Sequence, residues 1–542
     1  MTKPGPDSPA VRFRAEIEGE ALHPNLGALV AEAAARYSDR PLWVSIDGQG
    51  PDMTYGAFEA AANRCANALG ALGVVKGTHV GVMLPNVAPF LITWVALARL
   101  GAVMVPINIG YTPSELDYTL DNGDVEVLII DNERLAALTG IKDRAALIAD
   151  DRVIVAGAPP APFVHDWFAL TDGASEVLDA GAEVDADDLA TIQYTSGTTG
   201  MPKGCMLTHR YWLIIGKVLA RRGPTVQRLL VDLPLHYLGA QWRFWMALYA
   251  GGAICVALRY TLNGLIGRIR DHDIDFTSMF DQVAKLPQSA KDGENKLKRI
   301  SIAGLSPELH ATLEARFGAP AREGYGMTEV GATLYMPFEE TAMVGSGSCG
   351  IPSPFRQCQI VGADGTPVAT GEPGELWVRG AGILKGYYNQ PEATAAAFCG
   401  EWFRTGDLFR QDAKGYYSLV GRIKDMIRRS GENISAQEVE AVLLAMPEVR
   451  QAAVVAVPDS LRGEEVKAFI VLEPGLASSD LPPDPIFDHC ARHLARFKVP
   501  RYLHFVEGLP KTASNKVAKH KLTAGDPAAG ASYDRAEGTW RR

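Results

Sequence analysis

YGAFEAAANRCANALGAL (55–72), HVGVML (79–84), LITWVALARLG (91–101) and AVMVPIN (102–108) follow one another with little between them, and their reading decides the fold class. The first segment is alanine-rich with apolar residues at helical spacing, so it reads as an amphipathic helix, ended by Gly73. The second and fourth are short apolar runs and read as strands, with a helix between them. Working outward, VEVLIID (125–131), RVIVAG (152–157), LLVDLPL (229–235), AICVAL (253–258) and RISIAG (299–304) are further β-branched runs separated by helical stretches. Such alternation predicts βαβ units and mostly parallel sheet. The apolar strands predict sheets covered on both faces.

The texture changes after about residue 345. VGADGTPVATGEPGELWVRG (361–380) is rich in Gly and Pro with alternating strands, which predicts a smaller antiparallel barrel or sheet. After GRIKDMIRR (421–429) comes a compact region of helix (SAQEVEAVLLAM), strands (VRQAAVVAV, VKAFIVLE) and helix (PIFDHCARHLARF). A boundary near Lys424 divides the chain into an N-terminal domain, 1–423, and a C-terminal one, 424–523. Residues 524–542 lack an apolar period and are expected to be a disordered tail.

A chain of 542 residues has room for three to four domain-sized units. With 47% hydrophobic and 21% charged residues it has the composition of a soluble globular protein. The net charge of -10 disfavours nucleic acid and anionic membrane surfaces as partners. Seven scattered cysteines without a C-x-x-C pair argue against a disulfide framework and a zinc ribbon. They point to a reducing, cytoplasmic setting. The N-terminus has no signal-like apolar core, and the run 87–107 is broken by Pro89, Arg99 and Gly101, so no transmembrane segment is expected.

The strongest local signal is YTSGTTGMPKG (194–204). Three glycines allow close backbone approach to an anion. Thr195, Ser196, Thr198 and Thr199 offer hydroxyls, and Lys203 offers a point charge, which together suit phosphates. Taken alone, a loop of this composition is more often a plain surface loop. It is not a Walker A loop, because the G-x-x-x-x-G-K-[ST] spacing is absent.

This segment resembles the signature phosphate loop of the adenylate-forming (AMP-binding) superfamily, and further motifs follow in the superfamily's order. They are YGMTE (325–329), GELWVRG (374–380), FRTGDL (403–408), GRIKDMIRRSGENISAQEVE (421–440) and LPKTASNKVAKHKL (509–522). The resemblance runs from about residue 25 to 523 and is strongest to the acyl-CoA synthetase branch. It implies a multidomain α/β fold: a large N-terminal domain of two α/β subdomains plus a β-barrel, and a small mobile C-terminal α+β domain. It also implies an acid–thiol ligase using ATP, Mg²⁺ and coenzyme A.

The resemblance assigns ATP phosphates to Thr195, Ser196, Gly197, Thr198, Thr199, Gly200 and Lys203. It assigns adenine and ribose to Gly304, Leu305, Ser306, Glu323, Gly324, Tyr325, Gly326, Met327, Asp407 and Arg422. Within that set, Tyr325 would stack on adenine and Asp407 would take both ribose hydroxyls, as two carboxylate oxygens can. Thr328 would bond the α-phosphate, and Glu329 would be the metal ligand, a hard oxygen donor suited to Mg²⁺. Lys516 would be the catalytic cation between two anions, although Asn515 stands where the family usually has glycine. Lys424 would be the hinge, and Ser430, Gly431 and Glu432 the CoA side.

The acyl pocket and gate implied by resemblance comprise His236, Tyr237, Leu238, Gln241, Trp242, Val330, Gly331 and Ala332, with Met327 beside them. Most relatives have histidine at the gate; here Tyr237 occupies it and His236 stands in the usual phenylalanine position. The bulk of Trp242, Met327 and Tyr237 suggests a short or compact acid, and Gln241 and His236 suit a polar tail. Two alternatives stay open: an adenylating enzyme with a non-CoA acceptor, and a non-catalytic nucleotide-binding regulator. A homodimer is compatible with the resemblance, and no sequence feature decides the oligomeric state.

Overall fold

The computed structural model describes residues 9–179, 181–195, 202–284, 286–302, 307–429, 432–459, 461–511, 517–523 and 532–541. The helix and strands expected from the opening stretch are present as Tyr55–Ala71, His79–Met83, Ala88–Leu100 and Val103–Pro106. They build a seven-stranded sheet in the order His165–Asp166, Val153–Ala156, Val127–Asp131, His79–Met83, Val103–Pro106, Leu189–Thr195, Lys203–Thr208. Its pairings are parallel except the last, where Leu189–Thr195 and Lys203–Thr208 run antiparallel. Between the phosphate-like loop and the next helix lies a strand, Lys203–Thr208, that the sequence pattern does not signal. The helix itself begins at His209, with the Thr208 side chain accepting from the Tyr211 N–H as its N-cap.

A second sheet holds the parallel strands Ala321–Met327, Arg299–Ile302, Phe276–Met279, Arg228–Val231, Ala253–Val256 and Pro41–Ser45 side by side. It continues through Gly331–Tyr335 and Ser348–Pro352 into antiparallel strands Tyr417–Arg422, Trp402–Gln411, Gly374–Arg379 and Gln357–Val361. The Gly/Pro-rich texture after residue 345 therefore marks an antiparallel unit, in line with its alternating pattern. The strands described beyond the turn Ile423–Asp425 form a third sheet, packed with the helices Ala436–Leu444 and Pro483–His493.

The two parallel sheets share a helical layer. Helix Ala88–Leu100 is buried along nearly its whole length, as its uniformly apolar sequence demands. Its Trp94 meets Trp212 of helix His209–Arg221 and Trp245 of helix Leu238–Ala250 edge-on, at centroid distances of 4.7 and 4.9 Å. Helices His209–Arg221 and Leu238–Ala250 approach so closely that a β-carbon at Gly216 would lie 3.0 Å from the Trp245 carbonyl carbon. This aromatic contact joins elements that pack on different sheets.

One expectation is corrected. The C-terminal segment is not wholly disordered: Ser532–Asp534 and Thr539–Arg541 form a hairpin that extends the third sheet from strand Tyr502–Phe505. Asp534 is fully buried and pairs with Arg501 through two contacts of 3.2 Å. Tyr533 and Trp540 face each other across the hairpin with rings 5.4 Å apart. Three-residue strands are too short to show a period, so the pattern was invisible in sequence. All seven cysteines are free, as expected. Among the described residues no helix is long and apolar enough to cross a membrane.

Trp94→Ala is expected to cost about 3–5 kcal/mol by removing a fully buried indole, read as a lower thermal or urea midpoint. An unchanged midpoint would show that the tryptophan cluster does not carry the packing between the sheets.

Candidate active site

Strand Ala321–Met327 turns back into Gly331–Tyr335 through Thr328, Glu329 and Val330. The turn is tight: Gly331 has φ +68°, and a β-carbon at Gly326 would stand 2.5 Å from the Gly331 carbonyl oxygen. Glu329 is buried at this turn, and its Oε1 accepts from the Tyr387 hydroxyl at 3.0 Å. Lys203 Nζ lies 4.7 Å from the Tyr387 ring centroid, a cation–π contact. Burial pushes the Glu329 carboxyl above its ordinary range, while its own backbone N–H, Tyr387, Arg422 and Lys203 favour the ionised form. Its oxygens are hard donors of the kind a divalent cation takes.

A second cluster adjoins it. Asp407, buried on strand Trp402–Gln411, accepts from the Tyr325 hydroxyl at 2.6 Å through Oδ2 and from Arg422 Nε at 2.9 Å through Oδ1. Arg422 is its cross-strand neighbour. Burial first, then the Asp407 carboxylate, hold the Tyr325 hydroxyl well above its ordinary pKa, so it stays a donor. Its ring packs edge-on against Phe409 at 4.8 Å. A carboxylate has about four lone-pair sites. Two are used here, which leaves two for a vicinal diol.

The gate segment follows strand Arg228–Val231. Asn86 pins it: its amide donates to the Leu233 and Ala257 carbonyls at 3.0 and 2.8 Å, and its Oδ1 accepts from the Leu235 N–H at 2.8 Å. The Gln193 amide donates to the His236 carbonyl at 2.8 Å. His236 is buried, and burial holds its imidazole down to about 3, so the ring is neutral at working pH. The Tyr237 ring lies tilted against it, at 4.4 Å and 56°, and the Tyr237 hydroxyl accepts from Asn108 Nδ2 at 3.3 Å. Gln241 is fully buried, with neither amide atom partnered among the described residues. Leu238 and Trp242 are half-buried on the same helix.

The structure thus brings together Thr195, Lys203, Glu329, Tyr325, Asp407 and Arg422. Thr195 and Lys203 are paired across the antiparallel strands that flank the phosphate-like loop. Val330 is buried, Gly331 packs on Ile215 and Arg356, and Ala332 pairs with Gly326. Glu323 is buried, and its carbonyl accepts from the Met336 N–H at 3.0 Å. Gly324 pairs with Tyr335 in the same ladder. Lys424 lies in the turn Ile423–Asp425 that joins the antiparallel unit to the third sheet. Ser196 to Gly200, Gly304, Leu305, Ser306, Ser430, Gly431, Asn515 and Lys516 lie outside the described residues, as does the side chain of Glu432.

Sequence reasoning missed two supports of the site. Asn86 belongs to no motif in the sequence. Arg356 is buried and donates to the Val330 carbonyl at 2.7 Å, the Ala381 carbonyl at 2.6 Å and the Gly382 carbonyl at 3.0 Å. A lone Asn or Arg carries no periodicity, so only the three-dimensional contacts reveal these roles.

Residues 30–388 match the model of the AMP-binding enzyme family, and residues 438–516 match that of the AMP-binding enzyme C-terminal domain. A sulfoacetate–CoA ligase of Cupriavidus necator is 32% identical, over 92% of this chain and 97% of its own. A feruloyl-CoA synthase of an Amycolatopsis species is 32% identical, over 87% and 94%. The crystal structure of an anthranilate CoA ligase in complex with anthranoyl-AMP superposes with a TM-score of 0.84 at 25% identity, over 93% of this chain and 98% of that one. The chain belongs to the AMP-binding enzyme family, in its acid–thiol ligase branch.

Proposed function

We propose that this ligase activates a compact carboxylic acid in two half-reactions, with the clusters described above in named roles. In the first, a carboxylate oxygen attacks the α-phosphorus of ATP and pyrophosphate leaves, giving acyl-AMP. In the second, the sulfur of coenzyme A attacks the acyl carbon and AMP leaves. The observation that carries this reading is the adjacency of two carboxylates with different partners. Asp407 is held by donors at a position suited to a ribose diol. Glu329 is buried beside Lys203 and Tyr387 at a position suited to phosphate and cation.

The Glu329 site fits a magnesium ion, because its hard oxygens face no cation in direct contact among the described residues and burial makes an uncompensated carboxylate costly. When bound, the ion neutralises phosphate charge. Lys203 and the 196–201 loop would cradle the phosphates. Thr328 would bond the α-phosphate, and Lys516 would stabilise charge on the bridging oxygens. Rotation about Lys424 would then exchange Lys516 for the 430–432 segment, which would face the thiol arm. Tyr237 would act as an aromatic plug between acyl pocket and thiol tunnel. A neutral His236 takes no part in proton transfer at working pH.

Lys516→Ala is expected to cut acyl-AMP formation by at least about 100-fold while thioester formation from preformed acyl-AMP is largely spared. Equal loss in both half-reactions would contradict the two-orientation scheme. Acyl-AMP formed without a thioester would move the acceptor away from coenzyme A. Asp407→Asn should weaken AMP binding roughly ten- to hundredfold, the worth of a hydrogen bond to a charged group. Calorimetry with AMP reads this directly, and an unchanged Kd would remove Asp407 from the ribose site. Because the Glu329 pKa is raised, its carboxylate is lost on acidification earlier than an ordinary one. The Mg²⁺ concentration needed for half-maximal pyrophosphate exchange should therefore rise as pH falls, and Glu329→Gln should abolish that dependence.

A further inference from the structure

A buried ion pair that does not close lies at the C-terminal edge of the central parallel sheet. Strand Arg228–Val231 runs directly into Asp232, and helix Leu238–Ala250 returns across the sheet carrying Arg243. Both residues are buried, at 3% and 4% exposure. Yet Arg243 Nη1 and Asp232 Oδ1 are 4.0 Å apart, too far for a hydrogen bond. Arg243 Nη2 donates to Ser278 Oγ at 2.7 Å, which fixes the guanidinium. Arg243 Nη1, Asp232 Oδ2 and the nearby Tyr260 hydroxyl have no hydrogen-bond partner among the described residues.

The same chain closes its other buried pairs. Arg316 meets Asp292 at 2.8 Å and Arg429 meets Glu465 at 2.7 Å. Leaving charged groups buried and unpaired is strongly unfavourable, so the open pair at Asp232 and Arg243 calls for a third group between them. Burial pushes the Asp232 carboxyl up, partly offset by Arg243, by the backbone N–H groups of Asp232 and Leu233 and by Arg268; burial pushes the Arg243 guanidinium down, partly offset by Asp232.

The position is next to the reaction centre proposed above. Ser278 is paired with Ser301 on strand Arg299–Ile302, which precedes Gly304, Leu305 and Ser306, the residues expected at the adenine. Asp232 lies two residues before Pro234 and the gate. Ligands of open parallel sheets bind at this carboxyl edge. The gap thus sits beside the gate segment, where the tail of a bound acid would reach.

The two orphan atoms define what fits. Arg243 Nη1 needs an acceptor and Asp232 Oδ2 needs a donor. A hydroxyl supplies both from one oxygen, and the guanidinium and carboxylate, 4.0 Å apart at Nη1 and Oδ1, are near enough for one oxygen to bond to both groups. A second carboxylate would meet Asp232, an ammonium would meet Arg243, and an alkyl or plain aryl tail would satisfy neither. We propose that the acid activated by this enzyme carries a hydroxyl on its tail, alcoholic or phenolic, bound between Arg243 and Asp232. The assignment rests on the ligase reading and names the substrate class of that site.

The test uses the full chain with two matched series: benzoate, 4-hydroxybenzoate and terephthalate; hexanoate, 6-hydroxyhexanoate and adipate. Thioester formation with ATP, Mg²⁺ and coenzyme A gives kcat/KM for each acid. In at least one series the hydroxylated member should be preferred over the unsubstituted one by at least about 100-fold, as expected where buried polar groups are otherwise left unpaired. Asp232→Asn and Arg243→Lys should each shrink that ratio to within about tenfold, mainly by lowering kcat/KM for the hydroxylated acid. AMP binding by calorimetry reports that both variants are folded. Equal rates within a series, preference for the dicarboxylate, or a ratio unchanged in Asp232→Asn would overturn the hydroxyl assignment and leave the ligase reading standing; a water molecule filling the gap would give that result. Absence of acyl-AMP and thioester from all six acids, with AMP still bound, would overturn the proposed activation of a compact acid, on which the assignment rests.

Discussion

Asp407 is the point on which the three parts of the chain converge. Its carboxylate holds the hydroxyl of Tyr325 from the parallel sheet and the guanidinium of Arg422 from the last antiparallel strand. Arg422 immediately precedes the turn Ile423–Asp425 that leads to the third sheet. One buried anion therefore fixes the end of a parallel strand, the face of an antiparallel strand and the start of the connection beyond. Because Asp407 is buried, its bond to the Tyr325 hydroxyl is shielded from solvent and worth more than a surface equivalent, while the Arg422 side chain stays 43% exposed. The site is placed where independent units meet, so its geometry depends on the packing between them.

The same logic runs through the turn at Glu329. Arg356 binds the carbonyls of Val330, Ala381 and Gly382, tying the hairpin after the parallel sheet to the loop after strand Gly374–Arg379. Tyr387, a few residues further on, then reaches Glu329. The guanidinium fork suits this task, since its several fixed donors can satisfy carbonyls from different segments at once. Beneath it the Trp94, Trp212 and Trp245 contacts keep the two parallel sheets in register with each other. Rigidity is thus built from apolar contact below and multidentate polar contact above.

Sequence and structure agree where periodicity or motif order carries the information. Helix Ala88–Leu100 and strand Val103–Pro106 were legible because apolar runs of those lengths have few alternatives. The shift to antiparallel pairing after residue 345 was legible from Gly and Pro spacing. The strand Lys203–Thr208 was not, because Lys-Gly-Cys-Met-Leu-Thr has no strong alternation and gains its ladder only from Leu189–Thr195. Asp232 and Arg243 were invisible for a different reason: they are eleven residues apart, and only the return of the helix across the sheet brings them together. Motifs disclose what a residue type does in many proteins, whereas the pairing of two lone charges belongs to this chain.

The C-terminal hairpin has a consequence for how the small third sheet meets its surroundings. Without it, strand Tyr502–Phe505 would be an edge, offering unpaired N–H and C=O groups beside the apolar Leu503. An open edge of that kind is a template for pairing with another chain. Ser532–Asp534 covers it, and the new edge, Thr539–Arg541, is three residues long and flanked by Glu537. Short strands with neighbouring charge are poor templates. The hairpin therefore acts as a guard strand, so that the third sheet does not present an adhesive rim to a second molecule.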